Sequence, residues 1–151
     1  MIKNMLLKKQ VLLEGLSEDE LKKIAGIVKE LSFNKGEDLF KEKEDTKGLY
    51  LIKSGKVEIS KTTPDGWKQR LAILASSHYL GELSIIERRR HQANATALEN
   101  TEVFLITKQD FEKMEKEDTV LTSKIMKKLV LIMSMNIRRM NEKFINALIS
   151  Y

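Results

Sequence analysis

The hydrophobic positions of the chain change their period twice along its length. Between residues 21 and 31 apolar side chains recur at helical spacing, which predicts an amphipathic helix. Ser17 and Glu20 form a capping-box sequence directly before this segment, so we expect the helix to begin there. From about Leu31 the period becomes that of a strand, and after Lys108 the helical period returns. The pattern therefore predicts a helix, then a region of strands, then helices.

Turn residues divide the region between Leu31 and Ile106 into short strands. Asn34-Lys35-Gly36, Ser54-Gly55 and Pro64-Asp65-Gly66 place proline, or residues that tolerate a positive φ, where the chain must reverse. The segment with proline gives the strongest hairpin signal. Short strands at intervals of about ten residues are typical of a sandwich, roll or barrel. The predicted strands are 39–41, 48–53, 56–62, 68–74, 93–98 and 103–106.

A long final helix is predicted from about Thr119 to the end, because this segment keeps the helical period without glycine or proline. One set of its apolar positions alternates spacings of four and three, the period of a left-handed coiled coil. We call this set the seam, and it consists of Met126, Val130, Met133, Ile137, Met140, Phe144, Ala147 and Tyr151. A second stripe, about a quarter-turn away, consists of Ile125, Leu129, Ile132 and Asn136.

The two stripes predict two different partners for this helix. We expect the second stripe to pack on the β-domain over the first half of the helix, and the seam to pair with a second copy in a parallel homodimer. A helix of roughly 30 residues is about 45 Å long, more than a small β-domain can cover. The alternative is that the helix covers one large intramolecular core. The predicted organisation is N-terminal helices and a β-domain in residues 1–118, followed by a dimerisation helix in residues 119–151.

Composition and charge limit the partners of the chain. Its 151 residues are 42% hydrophobic and 32% charged, the balance of one domain with a sizeable core. The formal net charge of +5 is concentrated at one end. Residues 1–118 contain 21 Lys and Arg and 21 Asp and Glu, whereas residues 119–151 contain 6 and 1. A basic helix face attracts phosphate or anionic lipid, but it is more often a solvated surface.

The residue types present exclude several kinds of chemistry. Cysteine is absent, so disulfides, thiolate metal sites and cysteine nucleophiles are ruled out, as is usual in a reducing cytoplasm. His78 and His91 are the only histidines, too few for a cupin-type metal enzyme, and no nucleophile-elbow or Walker sequence occurs. Lys128 and Arg138 close the most apolar segment, and the N-terminus lacks a signal-peptide pattern. We expect a cytoplasmic, non-enzymatic protein without metal, cofactor or membrane-spanning helix.

Four segments of the strand region resemble those of a known family in order and spacing. They are Gly36-Glu37-Asp38-Leu39-Phe40, Leu49 to Val57, Asp65-Gly66 and Gly81-Glu82-Leu83-Ser84-Ile85-Ile86. Over roughly Leu13 to Leu148 the chain resembles the cyclic nucleotide-binding domain of catabolite activator protein, protein kinase A regulatory subunits and cyclic-nucleotide-gated channels. The resemblance implies a mainly β fold with flanking helices, in which an eight-stranded β-roll, similar to a jelly roll, precedes a long C-terminal helix.

The resemblance also implies a phosphate-binding cassette between strands six and seven. In the family, amides at the start of a short helix hold the cyclic phosphate together with a nearby arginine. The family glutamate that accepts from the ribose 2′-hydroxyl is matched by Glu82. The residue that caps the base falls between Ile132 and Asn136, where Ser134 and Asn136 are the polar candidates. Asn136 is equally compatible with a register-fixing role in a helix pair.

The cassette departs from the family pattern at the phosphate-binding arginine, whose place is taken by His91. Arg90 stands where the family has proline, and Asn94 where it has threonine or serine. A histidine can direct only one hydrogen-bond donor at the phosphate, and its side chain is not permanently charged. Ligand binding is therefore expected to be weakened. Ser77-His78 likewise replaces a usual glycine-acidic pair. The candidate ligand-binding residues are Gly81, Glu82, Leu83, Ser84, Arg90, His91, Gln92, Asn94, Ser134 and Asn136.

The resemblance implies a dimeric signalling module whose candidate ligand is cyclic AMP or cyclic GMP, and whose effector protein the sequence does not specify. The alternative is a pseudo-receptor that serves as a protein-interaction or oligomerisation domain without a nucleotide. DNA-binding regulators of this family carry a helix-turn-helix after the long helix. Because the chain ends at Tyr151, we expect no sequence-specific DNA binding.

Overall fold

The computed structural model describes residues 2–150, which form two antiparallel β-sheets flanked by helices. The helices are α1 (Ile2–Lys8), α2 (Glu18–Ile27), α3 (Glu82–Glu87), α4 (Lys108–Glu117) and α5 (Thr119–Ile149). The strands are β1 (Lys29–Phe33), β2 (Asp38–Phe40), β3 (Gly48–Ser54), β4 (Lys56–Thr62), β5 (Lys68–Ala75), β6 (Tyr79–Leu80), β7 (Asn94–Ala97) and β8 (Thr101–Thr107). A short 3₁₀ turn, Val11–Leu13, lies between α1 and α2.

The two sheets contain four strands each, in the orders β1-β8-β3-β6 and β2-β7-β4-β5. They pack against each other over a shared apolar core, to which Tyr50 and Val103 contribute from one sheet and Val57 and Ala95 from the other. The expected fold class, a mainly β roll with flanking helices and a long C-terminal helix, is therefore confirmed.

The central strands β3 and β8 belong to two cores at once. Tyr50 and Ile52 of β3 face the space between the sheets, whereas Leu49 and Leu51 pack against the helices. The same division holds along β8, from Val103 to Ile106. Because both faces of these strands are buried, their sequences are continuous apolar runs and not alternating ones. This sheet is thus the layer that the sandwich and the helices share.

The helix α2 begins where the capping-box sequence predicts. The hydroxyl of Ser17 accepts from the amide of Glu20 at 3.2 Å, and the Glu20 carboxylate accepts from the Ser17 amide at 3.0 Å. The buried side chains of Leu21 and Ile24 then face the helical core. The helix ends at Ile27, and β1 begins two residues later, slightly before the predicted change of period.

The predicted hairpin connects β4 to β5. The Thr63 amide donates to the Trp67 carbonyl at 2.7 Å, and the Gly66 amide donates to the Thr63 carbonyl at 2.9 Å. Gly66 has a φ of 86°, which lies in the left-handed region that favours glycine. Trp67 is 75% exposed, and β5 is exposed over most of its length. The hairpin therefore stands at an open edge of its sheet.

The strand β6 was not predicted from the hydrophobic pattern. It consists of Tyr79 and Leu80, which pair with Leu51 and Tyr50 of β3. Two residues are too few to establish an alternating pattern. Ser77, in the turn before β6, has a φ of 74°, the conformation in which glycine is the usual residue.

The helix α5 has 31 residues, and its two halves differ in their surroundings. Ile125 and Leu129 of the second stripe are buried in the helical core and Ile132 packs against it, as expected, whereas Asn136 is exposed. From Ser134 to Ser150 every residue is exposed, a length of about 25 Å at 1.5 Å per residue.

The seam of α5 is partly buried at two positions in its first half and exposed at its other large side chains. Met126 and Met133 are partly buried against the helical core. The other four described large side chains of the seam are exposed, namely Val130 (63%), Ile137 (56%), Met140 (68%) and Phe144 (66%). Tyr151 lies outside the described residues.

Candidate ligand-binding site

Residues 81–93 connect β6 to β7, and we call this segment the cassette. It begins at Gly81, whose φ of 87° lies in the left-handed region, and continues as α3. A Cβ atom at this position would lie 2.7 Å from the carbonyl oxygen of Gly48. The cassette thus approaches β3 more closely than a side chain would permit, and the position of α3 depends on a glycine at its start.

A pocket of about 260 Å³ lies between the cassette and the β-sandwich. Phe40, Ile59 and Leu74 form an apolar wall contributed by β2, β4 and β5. The remaining lining residues are Tyr79, Leu80, Gly81, Glu82, Leu83, Ser84, Glu87, Arg89, Arg90, His91, Gln92 and Ala93. An apolar wall that faces a few polar groups is typical of small-molecule sites.

His91 is the most constrained polar residue of the pocket. It is 3% exposed, and its ring stacks on Phe40 with a centroid distance of 3.6 Å and an interplanar angle of 7°. Its Nδ1 lies 3.1 Å from the hydroxyl of Ser84 on α3. Its Nε2 is buried without a hydrogen-bond partner among the described residues. The side chain therefore connects the C-terminal end of the cassette to β2 and to α3.

The backbone of His91 is held as firmly as its ring. Its amide donates to the Glu44 carbonyl at 3.0 Å, and its carbonyl accepts from the Lys43 amide at 2.7 Å. Burial lowers the pKa of His91, although the nearby Glu44 carboxylate opposes this shift. At neutral pH the imidazole is therefore uncharged, unlike an arginine in the same place.

Glu82 is the acidic residue at the start of α3. It is partly buried, and burial raises the pKa of its carboxyl group, while a hydrogen bond from its own amide opposes the rise. The side chain lines the pocket on one side and a narrow crevice under α3 on the other. A carboxylate in this position can accept hydrogen bonds from hydroxyl groups of a ligand.

Two of the three arginines of the cassette, Arg89 and Arg90, form ion pairs. Arg89 donates to the Glu87 carboxylate from both Nε and Nη2. Arg90 donates from Nε to Asp45 at 3.1 Å, in a pair whose side chains are both largely exposed. Both arginines line the pocket, whereas Arg88 does not.

Residues 2–150 contain neither a cluster of metal-binding side chains nor a membrane-spanning helix. No group of three or more His, Asp or Glu side chains in that range is placed to hold a metal ion. No helix within it is long and apolar enough to cross a membrane.

Residues 30–118 match the family model of the cyclic nucleotide-binding domain. The chain belongs to this family. The match includes nearly all of the β-sandwich, the whole cassette and α4, and it therefore includes every residue that lines the pocket.

Relatives of this cyclic nucleotide-binding domain include bacterial regulators. The chain is 34% identical to the anaerobic regulatory protein of Bacillus subtilis over 129 residues, which is 85% of this chain and 52% of the relative. It is 28% identical to the cyclic AMP receptor protein of Thermus thermophilus over 105 residues, 70% of this chain and 49% of the relative. The chain thus spans about half the length of these relatives.

The fold of this domain is also that of a solved family member. The crystal structure of Thermus thermophilus catabolite activator protein matches with a TM-score of 0.76 at 22% sequence identity. The match covers 89% of this chain and 62% of the other. At that identity the similarity establishes the fold.

Seven of the ten candidate ligand-binding residues lie at the pocket of this domain, and three lie elsewhere. The side chain of Asn94 accepts from the Glu42 amide at 2.9 Å and donates to the Thr62 hydroxyl at 3.3 Å. Ser134 and Asn136 are exposed on α5 and do not line the pocket. The structure therefore brings neither a base-capping residue of α5 nor Asn94 to this space.

Helix α5 nevertheless contacts the cassette, through apolar side chains. Ile85 of α3 packs against the helical core that contains Ile125 and Leu129. Glu82 and Ile85 line the narrow crevice between α3 and α5 together with these residues. A ligand at α3 is therefore one layer of side chains away from α5.

Sequence analysis did not select several pocket residues. Phe40, Ile59 and Leu74 occupy strand positions whose side chains face inward, but periodicity does not say which inward positions border a cavity. Glu87 and Arg89 lie in a charged run that fits a solvated turn as well as an anion-binding loop, so the sequence does not single them out. Arg88, which lies between them, has a left-handed conformation with a φ of 54°. This turn lets Glu87 and Arg89 form an ion pair with each other at the pocket.

Proposed function

We propose that this chain is a non-enzymatic regulatory domain whose pocket binds a cyclic nucleotide with an affinity weakened by His91. One observation carries the proposal: the pocket brings Glu82, the match to the ribose-binding glutamate, into the same space as His91, the residue in the place of the arginine. The apolar wall opposite them offers a surface of the kind on which a base packs. Cyclic AMP is the first ligand to test, because one relative is named a cyclic AMP receptor protein.

The expected weakening follows from the state of His91. A neutral imidazole has a single N–H donor, and one ring nitrogen is already engaged with Ser84. Arginine would present two donors and a permanent charge to a phosphate. A hydrogen bond to a charged group contributes about 1.5–3 kcal/mol, and each 1.4 kcal/mol is about tenfold in affinity. We therefore expect a loss of roughly ten- to a hundredfold.

Restoring the arginine tests this function. Calorimetric titration with cyclic AMP and cyclic GMP at neutral pH compares the wild type with His91→Arg, which should bind about ten- to a hundredfold more tightly. His78→Arg is the matched control, because it adds the same charge at the other histidine, which is exposed. Thermal unfolding of each variant verifies that the fold is retained. Wild-type binding in the low-micromolar range would contradict the weakening.

A second candidate function is a pseudo-receptor that uses the fold for protein contacts without a nucleotide. The packing of His91 favours this candidate. The ring stacks on Phe40 and lies within hydrogen-bond distance of the Ser84 hydroxyl, and the backbone of His91 is hydrogen-bonded to that of residues 43 and 44. Absence of binding by both the wild type and His91→Arg would support this candidate.

We infer further that the chain forms a homodimer through the exposed part of the α5 seam. Val130, Ile137, Met140 and Phe144 lie on one face at heptad spacing and are more than half exposed. A second copy is the occupant that fits them, because a heptad seam is self-complementary in a parallel pair. The domain of residues 1–118 would then be followed by a dimerisation helix in residues 119–151.

We also infer that residues 1–151 by themselves do not bind DNA with sequence selectivity. The positive excess of the chain lies in residues 119–151, where Arg138, Arg139 and Lys143 are exposed on α5. Such charges bind phosphates electrostatically, so any affinity should be weak and should fall steeply with salt. A tight, sequence-selective gel shift at physiological salt would contradict this inference.

A further inference from the structure

Arg89 and Glu87 form an ion pair within the lining of the pocket. The Nε of Arg89 lies 2.9 Å from Glu87 Oε2, and its Nη2 contacts the same oxygen. The amide of Arg89 donates to the Ser84 carbonyl at 3.1 Å, which anchors the residue to the end of α3. Both members of the pair border the pocket, so the guanidinium is held at its edge.

Of the cationic side chains that border the pocket, Arg89 is the one whose partner also borders it. The partner of Arg90 is Asp45, which lies on the loop between β2 and β3 and does not line the pocket. The Arg90 guanidinium is therefore paired with a carboxylate outside the pocket lining. His91 is uncharged at neutral pH, because burial lowers its pKa.

The ion pair between Arg89 and Glu87 can be broken with little loss of protein stability. Its side chains are 56% and 41% exposed, and exposed ion pairs contribute little to stability. Both donors of Arg89 converge on one carboxylate oxygen, whereas a phosphate offers two oxygens to a guanidinium. A cyclic phosphate in the pocket would therefore replace Glu87 with a better geometric match.

We propose that Arg89 is the residue that binds the phosphate of the ligand, and that Glu87 competes for its guanidinium when the pocket is empty. This inference rests on the proposed function, because it concerns the same pocket and ligand. It explains how a cassette with histidine in the place of arginine retains a permanent charge for the phosphate. Glu87 lowers the affinity for the ligand in two ways. It occupies the Arg89 guanidinium, and it places a negative charge beside the incoming phosphate.

Removal of each partner has an opposite effect on cyclic nucleotide affinity. Glu87→Gln should tighten binding of cyclic AMP by about tenfold, because the neutral amide holds Arg89 less strongly and does not repel the phosphate. Arg89→Ala should weaken it by at least about tenfold. In the double variant Glu87→Gln/Arg89→Ala the gain from Glu87→Gln should be smaller than in the wild-type background, because without Arg89 only the relief of charge repulsion remains.

Two controls separate Arg89 from its neighbours. Arg88→Gly removes the same charge from a residue that does not line the pocket, and glycine suits its φ of 54°, so affinity should stay unchanged. Arg90→Ala tests the competing arginine and should change affinity less than Arg89→Ala. Each protein is titrated calorimetrically with cyclic AMP and cyclic GMP, and its thermal unfolding is recorded.

The outcomes distinguish this inference from the function on which it rests. If the wild type or His91→Arg binds a cyclic nucleotide while Arg89→Ala and Glu87→Gln leave the affinity unchanged, the role of Arg89 is wrong and the proposed function stands. If Arg90→Ala causes the larger loss, Arg90 is the phosphate-binding residue. If none of the variants binds, including His91→Arg and Glu87→Gln, both proposals are wrong.

Discussion

The imidazole of His91 lies parallel to the phenyl ring of Phe40, with 3.6 Å between the ring centroids. This stack joins the cassette to β2 and fixes the plane of the imidazole. The two ring nitrogens are then confined to that plane, where Nδ1 meets the Ser84 hydroxyl and Nε2 has no partner among the described residues. His91 is thus part of the internal packing of the candidate site.

Acidification is expected to destabilise the wild-type protein through His91. Because burial lowers its pKa in the folded state, the unfolded chain binds more protons below the ordinary histidine pKa of about 6.5. The contribution to stability is fully present above that pH and is lost as the pH falls through the lowered pKa. Thermal unfolding recorded between about pH 7.5 and 5 measures this loss.

The variant His91→Phe isolates the effect of the histidine, because it keeps a ring for the stack but cannot titrate. Its melting temperature should fall less than that of the wild type over the same pH range. His78→Asn removes the other, exposed histidine and should leave the wild-type dependence in place. Parallel curves for the wild type and His91→Phe would contradict the assignment.

The fold could be predicted from the sequence where the local signal was long or specific. The capping box at Ser17 and Glu20, the hairpin at Pro64-Asp65-Gly66 and the helix after Asp118 each depend on residues that are close in the chain. Helix caps, turns and amphipathic periods are set by local backbone preferences. The strand β6 had no such signal, because its two residues are specified by pairing with β3.

The sequence predicts where the candidate site lies but not the contacts inside it. The motif beginning at Gly81 located the cassette, yet the stack of His91 on Phe40 brings together residues far apart in the chain. The ion pair of Arg89 and Glu87 depends on the left-handed turn at Arg88. Because Arg88 is not glycine, its positive φ could not be predicted from the sequence. Contacts set by tertiary packing are not visible in a hydrophobic pattern.

Glu82 is expected to destabilise the unliganded protein at neutral pH. Burial raises the pKa of its carboxyl group, so the folded state binds the proton more tightly than the unfolded chain does. Stability should therefore fall as the pH rises through the raised pKa. Glu82→Gln removes the charge and should raise the melting temperature at pH 7 by roughly 2–4 °C, the shift that about 1 kcal/mol produces at this size.

The gain of Glu82→Gln should shrink at acidic pH, where the wild-type carboxyl group is protonated. Glu99→Gln changes an exposed glutamate on the turn between β7 and β8 and serves as the matched control, with little effect expected. A melting temperature for Glu82→Gln that is equal to or below the wild type at pH 7 would show that the ionised carboxylate is well solvated.

Gly81 is expected to be much less tolerant of substitution than Gly36. Both residues have a positive φ, 87° and 90°, so alanine is strained at either position by about 1–3 kcal/mol. At Gly36 an added Cβ meets nothing within 4 Å, whereas at Gly81 it would lie 2.7 Å from the Gly48 carbonyl oxygen. Denaturant unfolding should show a larger loss for Gly81→Ala, and equal losses would mean that the cassette can shift away from β3.

The exposed seam of α5 predicts the result of a charge substitution. Met140→Glu places two like charges opposite each other in a parallel helix pair, at a position that is 68% exposed in the single chain. Sedimentation should therefore show a folded monomer for this variant and a dimer for the wild type. Met133 is a poorer choice, because it packs against the helical core of its own chain and its replacement would also disturb the monomer.

Met135→Glu is the matched control for the dimer, because it makes the same substitution on the same helix away from the seam. Met135 is 44% exposed and lies on the side of α5 opposite the seam, so this variant should remain dimeric. Equal dissociation of the two variants would show that general charge, and not the seam, governs association. A Met140→Glu protein that stays dimeric at the concentrations at which the wild type is dimeric would show that the exposed seam is not the dimer interface.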